Sequence, residues 1–217
     1  SLNNLMVGVI GHAELLREEL VLRPSARRAL TQISRSATRA GELARQLLAF
    51  ARGGRYWPRV INLNEVAEET LKHQHITGSP EMFLEWNLQP DLWKVHADPS
   101  QIGQVILNLW INAREAMNSG GTVRLHTRNA AVEESVDAVP DLIPAGRYAV
   151  LVLEDSGHGM DEETKLRMFD PFFTTKFQGR GLGLAAVYGI MRNHHGFIRV
   201  FSREDRGTAV ELFFPAV

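Results

Sequence analysis

The 217 residues are 44% hydrophobic and 23% charged, the usage of an ordinary globular chain long enough for one large domain or one domain plus a smaller element, which excludes collagen-like, low-complexity and wholly disordered readings. There is no cysteine, so disulfides, thiolate zinc sites, iron–sulfur clusters and cysteine nucleophiles are excluded together, and a reducing cytoplasm is compatible. Net charge is −1, but ten arginines, no lysine and four glutamates leave residues 1–60 at +6, while 14 basic and 21 acidic residues leave 61–217 at −7.

In chain order, Leu2, Leu5, Val9, His12, Leu16 and Leu20, then Ile33, Ala37, Ala40, Ala44, Leu47 and Ala51, recur at helical spacing on two predicted helices, with Pro24 near the turn between them and Gly53-Gly54 at the end. A hairpin of about 50 residues with narrow apolar stripes is marginal alone, so it is expected to pair with a second copy as a four-helix bundle. The texture changes at Tyr56 to Pro58, which divides the chain into domains 1–56 and 57–217. Asn62 then caps a helix predicted from Leu63 to about His75, followed by strand-like runs at Phe83 to Leu88 and Trp93 to His96. Asp98-Pro99 opens a long helix ending near Gly120-Gly121. Strands are predicted at Thr122 to Thr127, Tyr148 to Glu154, Phe197 to Ser202 and Ala209 to Phe214, with a buried helix at Leu184 to Asn193. Asn129 to Ala145, with two prolines, reads as a surface excursion. The longest strongly apolar stretch, Tyr148 to Leu153, is far short of the ~20 residues a membrane helix needs, and the start of the chain does not read as a signal peptide.

Four segments of the second domain carry chemistry. Asn108 and Asn112 lie four apart on an otherwise apolar helix, where amides are poor choices unless they serve each other or a ligand. A carboxamide oxygen suits a hard cation such as magnesium. Asp155-Ser156-Gly157-His158-Gly159 follows an apolar strand and offers one strong acceptor beside closely approachable backbone, which suits an amino-substituted ring or simply a turn. Gly179-Arg180-Gly181-Leu182-Gly183-Leu184 opens a helix, where free N–H groups favour an anion, with Lys176 and Arg180 adding charge. Gly181-x-Gly183-x-x-Ala186 also imitates a dinucleotide fingerprint, although no buried strand precedes it. Gly207-Thr208 before the last strand is a phosphate contact or a turn.

Taken together, Asn108 to Met117, Asp155 to Met160, Phe169 to Lys176, Gly179 to Leu184 and Gly207-Thr208 resemble the N, G1, F, G2 and last glycine boxes of bacterial sensor histidine kinases, in order. Leu2-Asn3-Asn4-Leu5 resembles the dimerisation helix of the subgroup with a His-Asp-Phe-Asn-Asn-Leu box. The resemblance implies an α+β chain: a helical hairpin stem, then an α/β sandwich ATP-binding domain with a mixed sheet packed on helices. It implies that Asn112 holds Mg2+, Asn108 supports the phosphates of ATP, and Asp155 takes the adenine amino group in a pocket shaped by Gly157 and Gly159. A lid from Phe172 to Leu182, with Lys176, Arg180 and Gly181 and running on into Gly183 and Leu184, closes over the phosphates, and Thr208 contributes from the far side.

Hydrolysing relatives carry a glutamate base one turn before the metal-binding asparagine. Asn108 stands there and cannot take a proton at neutral pH, which favours transfer over hydrolysis. Glu115 is a candidate for polarising the acceptor, or a solvated helix residue. The aligned acceptor histidine falls one position before Ser1. His12 lacks the flanks of a histidine box, and His73, His75, His194 and His195 lack converging carboxylates, so none is read as acceptor or metal ligand. Implied partners are a second copy through the stem, an acidic response-regulator receiver facing the +6 hairpin and an upstream sensor domain; nucleic acid is not expected. The implied setting is cytoplasmic, with any membrane anchor upstream. The alternative is a nucleotide-binding dimeric scaffold without autokinase activity.

Overall fold

The structure, a computed structural model, describes residues 30–34, 56–72, 82–117, 120–138, 142–176 and 181–217. The chain divides into two compact units, Ser1–Gly54 and Arg55–Val217. In the first, residues 30–34 are helical. The rest of the expected hairpin lies outside the described residues, as do His12, His73, His75, Gly179 and Arg180.

The second unit begins with a short strand that the sequence pattern does not reveal, β1 (Arg59–Ile61). Helix α1 (Leu63–Leu71) follows, capped by Asn62, whose side chain accepts from the Asn64 N–H at 2.9 Å. Next come β2 (Met82–Asn87) and β3 (Val95–Ala97), the latter pairing antiparallel with β1. Helix α2 (Pro99–Ala116) starts where the Asp98 carboxylate accepts from the Ser100 and Gln101 N–H groups, with Pro99 in the first turn. It buries Ile102, Val105, Ile106, Leu109 and Ala113, the stripe its 3.6-residue period prescribes.

Strand β4 (Gly121–Val132) runs five residues beyond the predicted Thr127 because Asn129 to Val132 pair antiparallel with Gly146 to Ala149 of β5 (Gly146–Asp155). The expected surface excursion therefore begins after Val132 rather than at Asn129. Its last turn also carries Ile143, fully buried with Tyr148, Val150, Val152 and Phe213 in a second apolar cluster on the outer face of the sheet. Helix α3 (Glu162–Arg167), capped by Asp161, is a further element missed by periodicity, being too short to show one. Helix α4 (Gly183–Asn193), β6 (Phe197–Ser202) and β7 (Thr208–Pro215) complete the unit.

The main sheet has the order β2-β4-β5-β7-β6, parallel between β2 and β4 and antiparallel elsewhere. This is an α+β unit with a mixed sheet. No strand leads directly into Gly181-x-Gly183, since β5 ends at Asp155 and α3 intervenes, and β6 pairs only with antiparallel β7, so the dinucleotide reading of that segment falls away. Alternation along β5 sends Leu151 and Leu153 to the helix side with α2 and α4, and Val150 and Val152 to the outer cluster. No described helix is long and apolar enough to cross a membrane.

Candidate functional site

One end of the sheet gathers the residues that the sequence singles out. It is where β5 and β6 finish and β4 and β7 begin, with the C-terminal half of α2 and the start of α4 above it. Asp155 is the last residue of β5 and pairs across the ladder with Thr208, the first of β7. Its Oδ1 accepts from the Gly157 N–H at 2.8 Å. Burial pushes the Asp155 carboxyl up from its ordinary value, against the pull of N–H groups from Gly157 and Thr208 and of the charges of His158 and Lys176. A carboxylate offers about four lone-pair positions, so these two N–H groups leave acceptor capacity for a ligand.

The glycines beside it answer to packing. A Cβ on Gly157 would lie 2.7 Å from the Ala116 Cβ of α2, so this residue lets β5 run close under the helix. Gly159 adopts φ 65°, and a Cβ there would run into the Arg203 carbonyl oxygen. The loop is stitched by the His158 N–H donating to Ala116 O at 3.2 Å and the Asp205 N–H to His158 O at 2.7 Å. A cavity of about 690 Å³ reaches Asp155, Ser156, Gly207 and Thr208, with Lys165, Arg203 and Arg206 also lining it.

On α2, Asn108 and Asn112 face the start of α4. The Asn108 amide donates to the Gly183 carbonyl at 3.2 Å, so its side chain ties the two helices together. Asn112 is half-buried, and its Nδ2 is shielded from solvent with no hydrogen-bond partner. Such a group costs about 1–3 kcal/mol unless a ligand satisfies it. Gly183 is its neighbour, with a Cβ position 3.8 Å from Nδ2. Helix α4 begins at Gly183 after Leu182, whose side chain gives it no cap, so its first N–H groups have no partner within the helix. The Leu182 side chain is buried, so this residue offers only backbone; Leu184 packs against the core. The unpartnered Nδ2 suits an acceptor such as a phosphate oxygen, and the Oδ1 of the same amide is the atom that could ligate a hard cation taking its other ligands from phosphates and water; the described residues include no group of three His, Asp or Glu able to hold a metal by themselves.

The segment after α3 is pinned at both ends. Phe172, with φ 69°, donates its N–H to Gly181 O at 2.8 Å, and Gly181 itself has φ 62° with its Cβ direction blocked by the Phe172 and Phe173 backbone. The Phe172 ring is largely exposed. Lys176 reaches α2, its Nζ 2.8 Å from Glu115 Oε2. The two sequence candidates for charge chemistry are therefore partners, both partly solvent-exposed. Arg180 lies outside the described residues. Ser202, at the end of β6, is a site neighbour that motif reading passes over: its hydroxyl lies 2.9 Å from Thr208 Oγ1.

The profile of the "Histidine kinase-, DNA gyrase B-, and HSP90-like ATPase" family matches residues 97–217, from the end of β3 to the last residue. The chain belongs to this family. Among the family's relatives, it is 36% identical over 216 residues to the sensor kinase CckA of Brucella abortus, covering 98% of this chain and 23% of that protein. It is 31% identical over 215 residues to the sensor histidine kinase ZraS of Klebsiella oxytoca, covering 99% of this chain and 44% of that one. The chain thus spans less than half the length of these relatives. Among solved structures, the catalytic domain of histidine kinase ThkA matches with TM-score 0.58 and 29% identity over 74% of this chain and 96% of that one. Full-length ShkA, in complex with AMPPNP, matches with TM-score 0.71 and 24% identity over 99% of this chain and 44% of that one, a likeness of fold.

Proposed function

We propose that this chain is the catalytic core of a sensor histidine kinase, binding Mg-ATP in the second unit and transferring the γ-phosphoryl group to a stem histidine, then to a receiver aspartate of a response regulator. The observation that carries the reading is the convergence of three incomplete partners: an acceptor carboxylate at Asp155, a shielded amide at Asn112 with nothing to bond, and an uncapped helix start at Gly183. An adenine amino group answers Asp155, and phosphate oxygens answer both the Asn112 Nδ2 donor and the helix start, while the Oδ1 of the same amide is the atom that can ligate magnesium. Identity to named sensor kinases along nearly the whole chain supports the same assignment.

In this reading Asp155 accepts from the adenine amino group and Thr208 borders the base. Gly157 and Gly159 give the pocket its floor. Asn112 ligates Mg2+, which neutralises phosphate charge, while Asn108 holds α4 so that the N–H groups of Gly183 and Leu184 meet the phosphates. Lys176 and Arg180 close from the lid between Phe172 and Leu182. Because Asn108 is an amide donating to Gly183 O, no base stands ready to activate water there, which supports transfer over hydrolysis. Glu115 is the acidic group nearest Lys176 and the candidate for orienting the attacking imidazole. Residues 1–56 form the dimeric stem, whose +6 charge over residues 1–60 suits an acidic receiver surface, and residues 57–217 form the nucleotide domain.

The test is this chain, together with any native residues that precede Ser1, incubated with γ-labelled ATP and magnesium. Acid-labile, base-stable label on the protein, passed to a receiver domain, is expected. Tight Mg-ATP binding with no label would leave the scaffold reading in its place.

A further inference from the structure

The face of the main sheet turned away from α2 and α4 carries its own apolar cluster, partly covered by the chain between β4 and β5. There Val136 and Ile143 exchange backbone hydrogen bonds of 3.0 and 2.9 Å, and the Tyr148 hydroxyl donates to Pro144 O at 2.9 Å. Beside this cover lies a cavity of about 520 Å³, inside the ~300–1,000 Å³ range of small-molecule sites, with Phe213, Ile143, Ala130 and Val136 among its walls. The strand register gives it a direction. Arg199 of β6 is level with Glu211, Val152 and His126 across the ladders, and Val132 lies six residues, about 20 Å, further along β4. Arg128 and Arg199 therefore stand at one end, and Glu133 and Glu134, which follow Val132, at the other, farther apart than the Debye length of about 8 Å.

Charge at the arginine end does not balance. The Arg128 guanidinium bonds Glu211 Oε1 at 3.0 Å, and Glu211 Oε2 is shielded from solvent with no partner, so Arg199 does not pair with its neighbour across the ladder. Among the described residues no carboxylate comes within ion-pair distance of Arg199, whose guanidinium rests instead 4.5 Å from the centre of the exposed Phe201 ring, a weak contact that an anion can displace. We propose that this cavity binds a small organic monocarboxylate with an apolar tail, its head on Arg199 and its tail along Phe213 and Ile143 toward Val136. A guanidinium takes a carboxylate through two parallel N–H···O bonds, and one uncompensated cation at the end of an apolar slot suits a single negative head. A second charge on the ligand would lie where the walls are apolar and would approach Glu133 and Glu134. The cavity shares no lining residue with the one that reaches Asp155 and Thr208.

The experiment is isothermal titration of octanoate, octan-1-ol and octanedioate, each alone, into the 217-residue chain. Octanoate is expected to bind saturably at one site per chain, with the alcohol and the dicarboxylate at least about tenfold weaker. Arg199→Gln, on the edge strand β6, should weaken octanoate by a similar factor and leave octan-1-ol where it was. Amide shift changes on adding octanoate are expected at Ile143 and Phe213. No saturable octanoate binding, or equal octanoate affinity in Arg199→Gln, overturns the proposal, as do shift changes confined to the residues around Asp155. Should Arg199→Gln not fold, Ala130→Leu takes up volume in the slot and must weaken octanoate; unchanged affinity there overturns the proposal equally. Sedimentation with phosphatidylglycerol vesicles in the absence of octanoate binding would also overturn it, by replacing the free carboxylate with a lipid surface.

Discussion

Asp155 carries a conflict that a substitution can expose. Its carboxyl is raised by burial, so the folded chain favours the protonated form more than the unfolded chain does. The stability this group contributes is therefore present at low pH and is lost as pH rises through the raised folded value, leaving an ionised, strained carboxylate at neutral pH. Asp155→Asn should raise the melting temperature at pH 7 while weakening Mg-ATP by about 10–100-fold, the worth of a hydrogen bond to a charged group. Thermal melts and nucleotide titration check both halves, and a lowered melting temperature would contradict the first. In the unchanged protein, affinity should decline as pH falls through the raised value, because the protonated carboxyl no longer accepts. Asp155 was legible in sequence as a charge ending an apolar strand before alternating glycines. Ser202 was not, because a serine closing a strand looks like a turn until its phase places it under Thr208.

Helices α2 and α4 hold the site by contacts that periodicity shows only in part. The buried stripe of α2 was readable, as was the Asp98 cap, but the Glu115–Lys176 pair spans 61 residues of chain and no local pattern announces it. With Lys176 held by Glu115, phosphate must compete for the cation. Glu115→Gln should tighten Mg-ATP by up to about fivefold, the ceiling set by an exposed ion pair, and leave adenosine affinity unchanged. If Glu115 also orients the acceptor, phosphoryl transfer slows in the same variant. Tightening of adenosine as well would argue against phosphate competition.

At the other end of α4, His194 is buried. Its Nε2 accepts from the Asp98 N–H at 3.0 Å and its Nδ1 lies 2.8 Å from Ile190 O, which fixes the neutral ring. Burial above all, with His195 and His96 beside it, pulls its pKa down against the opposing pull of the Ile190 carbonyl and Asp98. The Asp98 carboxyl, though burial pushes it up, ends below its usual range because Ser100, Trp57 and Gln101 donate to it. A depressed histidine stabilises above its unfolded value and loses that contribution as pH falls through the folded one. His194→Ala should cost about 2–3 kcal/mol at pH 7.5 and flatten the acid limb of the stability curve. An equally steep acid limb in the variant would assign the pH dependence elsewhere.

For the molecule as a whole, the sequence pattern showed most strands of the second unit, and it placed a change of texture near Tyr56. The chain divides between Gly54 and Arg55. Missing from that reading were β1 and the extension of β4, each formed by pairing with another strand rather than by its own pattern, and helix α3, too short to show a period. The charge split lies close to the same division, with an arginine-rich first segment and an acidic second one; in the proposed reading the acceptor Asp155 and the amide Asn112 serve one ligand. That ligand can be titrated directly. Isothermal titration of Mg-ATP into the 217-residue chain should give one site per chain, weakened at least about tenfold in Asp155→Asn, and in Asn112→Ala a weaker site that no longer gains from magnesium. Unchanged affinity in both variants would contradict the assignment of this end of the sheet as the nucleotide site.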